Sequence, residues 1–240
     1  MTELIIAEEH SQLYDVWLER GYRKLAVCHV DFHCDMRGLL IDRRLGQACF
    51  VDRRIPYIHR LDSGSYLSHA VMNGIVTKLR WVHDDFGGRT FDYIHCVKYE
   101  TDFSALPYRL LGKKQCMPIT YEEQTFADWN GPQPGEHLDI DWDGIAFAGY
   151  DESHIRRLMA EILERDFEPE SIFMARSPDY CHPNLKLFEE FIAGLEKKFN
   201  IKAVQIPFAR PVLPHASIFW DIYRKVDQYI LNQIHKMGFY

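Results

Sequence analysis

The chain has 240 residues, of which 47% are hydrophobic and 26% are charged, a composition typical of globular proteins. Its formal net charge of −7 at pH 7 argues against a nucleic-acid partner, because phosphate binding requires a basic face. No apolar run approaches the roughly 20 residues that cross a bilayer, and the first residues lack the pattern of a signal peptide. The six cysteines show no CxxC spacing, so neither a disulfide framework nor a zinc knuckle is indicated. We expect a cytoplasmic protein with no membrane partner and a single domain over residues 1–240.

Strands and helices are predicted to alternate along the chain. A strand at 4–6, a helix at 11–20 and a strand at 25–30 form a β-α-β unit, which implies a parallel sheet and a right-handed crossover. Residues 36–65 are rich in Arg, Asp and Gly and are predicted to form a long loop over the strand ends. Further helices are predicted at 66–76, 152–165, 183–199 and 217–237, and further strands at 79–83, 91–97, 115–120, 136–141, 171–175 and 202–206. This alternation predicts the α/β class with a mainly parallel sheet.

Two predicted strands end in acidic motifs. Asp31, His33 and Asp35 occupy alternate positions directly after the apolar strand 25–30, and Asp139 and Asp141 end the strand 136–141. Side chains at alternate positions of an extended chain can face one point, and this mixture of oxygen and nitrogen donors suits Mn²⁺, Mg²⁺ or Zn²⁺. Because ligands bind at the carboxyl ends of strands in open α/β sheets, the two motifs predict a binuclear metal site.

His10 is a third predicted metal donor, since it follows the first strand at the start of the first helix. Taken alone, a histidine in this position is more often a surface or capping residue. An Asp-x-Asp motif after a strand is likewise often a turn with a helix cap. The three motifs together, each at a strand end, favour the metal interpretation.

The three motifs resemble, in order and spacing, elements of the arginase and agmatinase superfamily. His10-Ser11, Asp31-Phe32-His33-Cys34-Asp35 and Asp139-Ile140-Asp141 correspond to its Asp-His-Ser, Asp-x-His-x-Asp and Asp-x-Asp elements. With Glu8-Glu9 before His10, the chain looks more closely like a branch of short arginase-like proteins. Some members of that branch are peptide arginases of ribosomally made natural products, which convert arginine side chains of a precursor peptide to ornithine and urea. The resemblance implies a three-layer α/β/α fold of the arginase type.

The resemblance also implies two Mn²⁺ ions per chain. One ion is expected to be bound by His10, Asp31, Asp35 and Asp139, and the other by Asp31, His33, Asp139 and Asp141. Asp31 and Asp139 would then bridge the ions. Four carboxylates and two imidazoles suit Mn²⁺ better than a thiolate-seeking ion, while Zn²⁺ and Fe²⁺ stay open. A hydroxide bridging the two ions would attack the guanidino carbon, and Asp35 would accept a hydrogen bond from it.

Departures from the superfamily pattern bear on the substrate. Ala7-Glu8-Glu9-His10 replaces the usual Gly-Gly-Asp-His, and Trp142-Asp143-Gly144 lacks the usual spacing to a third Asp followed by Pro. The loop after Asp35 lacks the Asn- and Ser-rich stretch with which arginases hold the amino and carboxylate groups of free arginine. The resemblance therefore favours an arginine-containing precursor peptide as the partner, bound in an open groove between the segments 37–60 and 207–214.

A proton donor is needed to expel the amine from the tetrahedral intermediate. His69 is the first candidate because it follows the predicted rim loop, and histidine titrates near physiological pH. The competing interpretation is a histidine on a helix surface. His59, His83 and His182 are alternative shuttles.

Asp179 and Tyr180 are the candidate substrate-binding residues. A carboxylate can pair with a guanidinium group, and Asp179 follows the predicted strand 171–175, near the position of the superfamily's substrate-binding acid. A turn aspartate after Pro178 is the competing interpretation. Tyr180 would close over the aliphatic stem of the arginine, and Asp143 and Glu9 are reserve acids.

Three other functions stay open at this level. The first is a ureohydrolase that acts on small molecules such as agmatine, guanidinobutyrate or arginine. The second is a Zn²⁺ amidohydrolase of the deacetylase type, which needs one metal ion and fewer carboxylates. The third is a non-catalytic binding module that uses the metal for stability. The oligomeric state is also open, and a homo-oligomer is compatible with the sequence.

Overall fold

A computed structural model of the chain describes residues 2–50, 61, 63–84, 98–99 and 116–207. All of them fall within the unit Met1–Phe208, and the second unit, Ala209–Tyr240, lies outside the described residues. The predicted strand 91–97 and the predicted helix 217–237 lie outside them too. The single domain over 1–240 therefore stays a prediction. Among the described residues, no helix has the length and apolar character of a membrane span.

The described elements follow the predicted alternation. In chain order they are β1 (Leu4–Ala7), α1 (Ser11–Glu19), β2 (Leu25–Val30), β3 (Leu39–Asp42), β4 (Gln47–Phe50), α2 (Tyr66–Met72), β5 (Val76–His83), β6 (Lys98–Tyr99), β7 (Cys116–Pro118), β8 (Thr120–Thr125), β9 (Glu136–Asp141), α3 (Asp143–Ala146), α4 (Glu152–Glu164), β10 (Ile172–Ala175), α5 (Leu185–Phe199) and β11 (Ala203–Gln205). A single 3₁₀ turn, Ser63–Ser65, precedes α2.

Seven strands form the main sheet in the order β11-β1-β10-β9-β2-β5-β8. Every neighbouring pair is parallel. β1 and β2 are joined through α1 but are separated in the sheet by β10 and β9. The central strands β1 and β10 are buried at every position and carry nearly continuous apolar runs, as expected where both faces of a sheet are covered. The predicted α/β class with a mainly parallel sheet is confirmed.

Helices cover both faces of the sheet, and the alternation of side chains in β1 shows how. Ile5 and Ala7 belong to one buried cluster, which includes Trp17 of α1 and residues of α2. Leu4 and Ile6 belong to the other, which includes residues of α4 and α5. Because successive side chains of a strand point to opposite faces, the two clusters are the two sides of one sheet. The arrangement is a three-layer α/β/α fold.

The prediction of a long loop at 36–65 is wrong in part. β3 and β4 form an antiparallel hairpin, and together with β6 and β7 they make a second sheet of four strands. The strands are the short apolar runs that flank a charged turn, and Gly46 in that turn has a φ of 61°, a value that glycine adopts easily. The prediction relied on the high content of charged residues in this segment, and those residues lie in the turn and its flanks, so the two short apolar runs were not recognised as strands. Leu39 and Ile41 are buried in the cluster beneath α1 and α2.

Two further boundaries differ from the sequence predictions. The helix predicted over 66–76 ends at Met72, because Gly74 adopts a φ of 67° and the chain then enters β5 at Val76. The strand predicted over 115–120 divides at Ile119, so that β7 joins the second sheet and β8 forms an edge of the main sheet. β8 was missed because its exposed positions are polar.

The end of β2 packs directly against α3 at Gly144. A Cβ atom at this position would lie 2.5 Å from the Asp31 Cα atom and 2.8 Å from the Asp31 nitrogen. Both distances are far below van der Waals contact, and backbone atoms cannot rotate away. The lack of a side chain at Gly144 therefore sets how closely α3 approaches the acidic end of β2.

We expect Gly144→Ala to lower the free energy of unfolding by about 1–3 kcal/mol, because the added methyl group must displace the Asp31 backbone. Gly149→Ala is the matched control, since its Cβ atom would meet only the Phe147 side chain, at 3.3 Å. Urea denaturation of both variants measures the difference. Equal losses of stability would contradict the proposed backbone contact.

Candidate metal centre

A cluster of acidic and imidazole side chains is buried at the carboxyl ends of β2 and β9. Burying charged groups in this number is costly unless each is paired or bound to a cation. Seven of the residues are at most 5% exposed and His33 is partly buried. The cluster consists of His10, His29, Asp31, His33, Asp35, Asp139, Asp141 and Asp143.

The register between β2 and β9 sets the depth of each group. His29 pairs with Asp139, and Val30 pairs with Ile140. Asp31 is therefore level with Asp141, one position beyond the last pair, while His29 and Asp139 lie two residues deeper in the sheet. The Asp31 backbone is anchored on β5, where its N–H donates to the Val82 carbonyl at 3.1 Å.

The turn between β1 and α1 carries His10 into the cluster. The Gln12 side chain accepts hydrogen bonds from the backbone N–H groups of Glu8 and Glu9, both at 3.0 Å. This fixes the turn, so that the first residue before α1 points into the sheet rim. The imidazole of His10 is fully buried there, which is not the environment of a surface capping residue.

Four residues form the first grouping: His10, Asp31, Asp35 and Asp141. His10 Nδ1 lies 3.0 Å from Asp141 Oδ2, 3.2 Å from Asp35 Oδ2 and 3.5 Å from Asp31 Oδ2. One nitrogen and three carboxylate oxygens therefore meet around one point, an arrangement that can hold a divalent cation.

Asp31, His33 and Asp143 form the second grouping. His33 Nδ1 lies 3.0 Å from Asp143 Oδ2 and 4.0 Å from Asp31 Oδ1. Asp31 belongs to both groupings, through a different oxygen in each. Its carboxylate can therefore bridge two cations.

His10, His29 and Asp139 form the third grouping. Asp139 lies between two imidazoles, with Oδ1 3.1 Å from His10 Nε2 and Oδ2 3.1 Å from His29 Nδ1. The Tyr66 hydroxyl donates a hydrogen bond to Asp139 Oδ2. The Tyr66 ring also stacks on His10, with ring centroids 4.6 Å apart.

The structure brings all six predicted ligands into this cluster, but it divides them differently. Asp141 stands beside His10, Asp31 and Asp35, where Asp139 was expected, and Asp143 stands beside His33, where Asp141 was expected. The reason is the depth of Asp139, which is level with His29 and not with Asp31. His29 and Tyr66 were missed, although His29 continues the alternation of Asp31, His33 and Asp35 backwards along the chain.

Unpaired buried atoms provide a test of whether cations fit the cluster. Such atoms are costly, and each one in a folded protein calls for a partner. The following atoms have no hydrogen-bond partner among the described residues: His10 Nδ1, His29 Nε2, Asp31 Oδ2, Asp35 Oδ2 and Asp143 Oδ1. Carboxylate oxygens and imidazole nitrogens, with no thiolate, suit Mn²⁺ and similar divalent cations. The residues present therefore fit such ions.

In the absence of a cation, the charges in the cluster favour the protonated forms of several of its side chains. Burial and the neighbouring carboxylate of Asp35 raise the pKa of Asp31 well above its usual value. Burial alone would lower the pKa of His10, but Asp139 and Asp141 outweigh it and raise this pKa well above the usual range. For His33, the carboxylate of Asp143 outweighs burial and raises the pKa to about 9. A cation entering the cluster must displace these protons.

Two residues at this rim have left-handed backbone conformations. Asp35 has a φ of 51° and Ser177 has a φ of 42°. Such conformations are uncommon outside glycine and gather at functional sites. The turn at Asp35 directs its carboxylate back toward His10, and Ser177 Oγ donates a hydrogen bond to Asp141 Oδ2 at 2.8 Å.

A cleft of about 320 Å³ adjoins the cluster through Ser177. It is lined by Glu9, Arg37, Ser63, Gly64, Ser177, Pro178, Asp179 and Tyr180. Both predicted substrate-binding residues, Asp179 and Tyr180, therefore lie on the wall of a cleft beside the cluster. The Tyr180 ring is 54% exposed and its centroid lies 5.8 Å from that of His33.

His69 lies elsewhere. It is on α2, and its ring lies 6.4 Å from that of Tyr14 of α1. It belongs to none of the three groupings among the described residues and does not line the cleft. Its role as a proton shuttle stays a prediction. Among the alternatives, His59 lies outside the described residues.

No family model matches the chain, and no curated protein matches it either. Among solved structures, it is similar to proclavaminate amidino hydrolase from Streptomyces clavuligerus, with a TM-score of 0.44 and 16% identity over 81% of this chain and 62% of that one. It is also similar to arginase from Medicago truncatula, with a TM-score of 0.39 and 13% identity over 81% of this chain and 57% of that one. The chain thus spans about three fifths of the length of either protein.

Proposed function

We propose that the protein is a hydrolase that uses two divalent cations, Mn²⁺ in the first place, to cleave the guanidino group of arginine side chains in a peptide. The first and second groupings, which share Asp31, are the observation that carries this proposal. In the reaction, the oxygen of a water molecule bonds to the guanidino carbon and the bond from that carbon to Nε breaks. A proton goes to Nε, and the products are urea and an ornithine residue.

The proposed ligands follow the two groupings. His10, Asp31, Asp35 and Asp141 would hold one cation, and Asp31, His33 and Asp143 would hold the other. Asp31 would bridge the two cations. This set differs from the one that the sequence predicted, because Asp143 enters it, Asp139 leaves it, and Asp141 moves from the second cation to the first.

Two divalent cations supply, when bound, a water molecule of lowered pKa and positive charge to stabilise the reacting group. Asp35 is the residue proposed to align the attacking water, because its carboxylate has a second oxygen besides Oδ2, the atom that faces His10 and would hold the cation. The left-handed backbone at Asp35 holds this carboxylate toward His10. The walls of the rim exclude bulk water, since Asp31 and Asp141 are almost fully buried.

The cleft beside the cluster supports an arginine side chain as substrate. Asp179 and Glu9 supply carboxylates that can pair with a guanidinium group. Tyr180 presents an exposed ring next to His33, where it can cover the aliphatic stem. Because Asp179 and Tyr180 are exposed, the cleft opens to the surface, and this favours a side chain presented by a peptide.

Metal binding is the first test. We expect two Mn²⁺ ions per wild-type chain and a gain in stability of about 2.7 kcal/mol for each ion when free Mn²⁺ is about 100-fold above its dissociation constant. This corresponds to a rise in Tm of about 5–11 °C for each bound ion. Asp141→Asn should bind fewer than two ions, while Asp166→Asn, which alters an exposed carboxylate, should behave as wild type. Elemental analysis measures the number of bound ions, and thermal denaturation measures the rise in Tm. A wild-type protein without bound ions would contradict the proposal.

Activity is the second test. Mn²⁺-loaded protein incubated with arginine-containing peptides should release urea and leave ornithine residues, detected by mass spectrometry. Asp141→Asn should lose more than about 100-fold of this activity, since removing even a residue that supports a ligand costs 10–100-fold. Urea from agmatine or free arginine with peptides untouched would establish a small-molecule ureohydrolase instead. A loaded protein inert toward all guanidino compounds would indicate a binding module.

The pH dependence is the third test. Burial lowers the pKa values of both His29 and His33. The carboxylates of Asp31 and Asp139 outweigh it and raise the folded-state pKa of His29 from 6.5 to about 10. The carboxylate of Asp143 likewise raises the folded-state pKa of His33 to about 9. A raised pKa stabilises the fold below the unfolded value, and that stability is lost as pH rises through the folded value. With EDTA present, Tm should therefore fall from about pH 6.5 to about pH 10, while affinity for Mn²⁺ should rise as protons leave. A metal-free Tm that rises over this range would contradict the assignment.

A further inference from the structure

A second polar layer lies directly behind the two groupings that would hold the cations. It consists of His29, Asp139 and Tyr66, and each of them is fully buried. His29 and Asp139 face each other across β2 and β9, on the side of the sheet that α1 and α2 cover. None of these three residues is a proposed ligand or takes part in the proposed hydrolysis of the guanidino group.

The second layer links two of the proposed ligands. Asp139 Oδ1 contacts His10 Nε2 at 3.1 Å, and Asp139 Oδ2 contacts His29 Nδ1 at 3.1 Å. The other ring nitrogen of His29, Nε2, lies 3.1 Å from Asp31 Oδ2. The contacts therefore run from His10 through Asp139 and His29 to Asp31.

Asp139 differs from Asp31, Asp35 and Asp143 in how its oxygens are used. Both of its oxygens have hydrogen-bond partners, supplied by His10, His29 and Tyr66. Asp31, Asp35 and Asp143 each have one buried oxygen with no hydrogen-bond partner among the described residues. Unpaired oxygens suit a cation, whereas the oxygens of Asp139 are engaged by two imidazoles and a phenol. Asp141 also has both oxygens engaged, but by the Ser177 hydroxyl and the Asp143 backbone N–H, which leave it beside His10 Nδ1.

The chemistry of a ligating imidazole explains what this layer does. A histidine that binds a cation through Nδ1 must carry its proton on Nε2, and a carboxylate at Nε2 fixes that tautomer and the orientation of the ring. Asp139 stands at His10 Nε2, while His10 Nδ1 faces Asp141 and Asp35. His29 stands beside the bridging carboxylate: its Nε2 lies 3.1 Å from Asp31 Oδ2, close enough to limit where Asp31 can lie, although the two atoms lack the geometry of a hydrogen bond.

We propose that Asp139 and His29 are positioning residues, which orient His10 and Asp31 for two divalent cations without binding the cations themselves. The inference rests on the proposed function only in requiring that the first and second groupings bind cations. Tyr66 supports Asp139 through its hydroxyl, which also lies 3.4 Å from His29 Nδ1. It is a weaker contributor because it touches neither of the proposed ligand atoms of His10 and Asp31.

The test compares Asp139→Asn, Tyr66→Phe and the ligand variant Asp141→Asn with wild type. Mn²⁺ titration followed by electron paramagnetic resonance gives the number of bound ions and their affinity, and visible absorption of the Co²⁺-loaded protein reports ligand geometry. Asp139→Asn should keep two ions, bind them about 10–100-fold more weakly and change the Co²⁺ spectrum. Tyr66→Phe should lower the affinity less than about 10-fold, since both imidazole contacts remain.

Two results would overturn the inference. Loss of one ion in Asp139→Asn, as in Asp141→Asn, would make Asp139 a ligand. Unchanged affinity and Co²⁺ spectrum, with only a lower metal-free Tm, would make it purely structural. If Asp139→Asn does not fold, His29→Gln is measured in the same way, with the same expected weakening.

Failure of the proposed function gives a different pattern. A wild type that binds two ions but releases no urea would refute the guanidino hydrolase, and the affinities of the variants would still test the positioning role. A wild type that binds no cation at all would refute both.

Discussion

The parallel pairing of β2 with β9 is the constraint on which the site depends. It sets Asp31 level with Asp141 beyond the last paired residues, and His29 level with Asp139 inside the sheet. A shift of one residue would turn every acidic side chain of one strand to the opposite face, into the apolar cluster beneath α4 and α5. The pairing therefore fixes both the depth and the side of each carboxylate.

Large apolar layers on both faces of the sheet make this concentration of charge tolerable. Trp17, Tyr66 and Phe173 are buried on one side, and Trp142 and Phe191 on the other. Each large side chain contributes on the order of 1.5–3 kcal/mol by leaving water, and together they offset buried charges that repel one another. The carboxylates at the rim therefore lower the stability of an otherwise well-packed fold, as is common where a protein binds its ligand.

Much of the architecture could be predicted from the sequence, because it depends on local patterns. The apolar runs of β1, β2 and β10 and the spacing of Leu158 and Ile162 in α4 are visible without any structure. The acidic motif after β2 was recognisable for the same reason. The hairpin of β3 and β4 was not, since its strands are four residues each and its turn carries the charges that suggested a loop.

The partition of the carboxylates could not be predicted in this way. Asp139, Asp141 and Asp143 occupy alternate positions and look equivalent in the sequence. Only the register with a strand more than one hundred residues away separates the deep one from the two at the rim. The cleft beside Ser177 is likewise formed by segments far apart in the chain, so no short sequence motif could have predicted it.

The sharing of Asp31 between two groupings has a consequence for how the centre fills. In the proposed assignment, an ion held by His10 and Asp141 draws negative charge from the same carboxylate that a second ion needs at His33 and Asp143. A first ion would also fix the orientation of Asp31, the carboxylate that a second ion would share. The two positions would therefore be thermodynamically linked, and occupancy of one would change the free energy of filling the other by an equal and reciprocal amount.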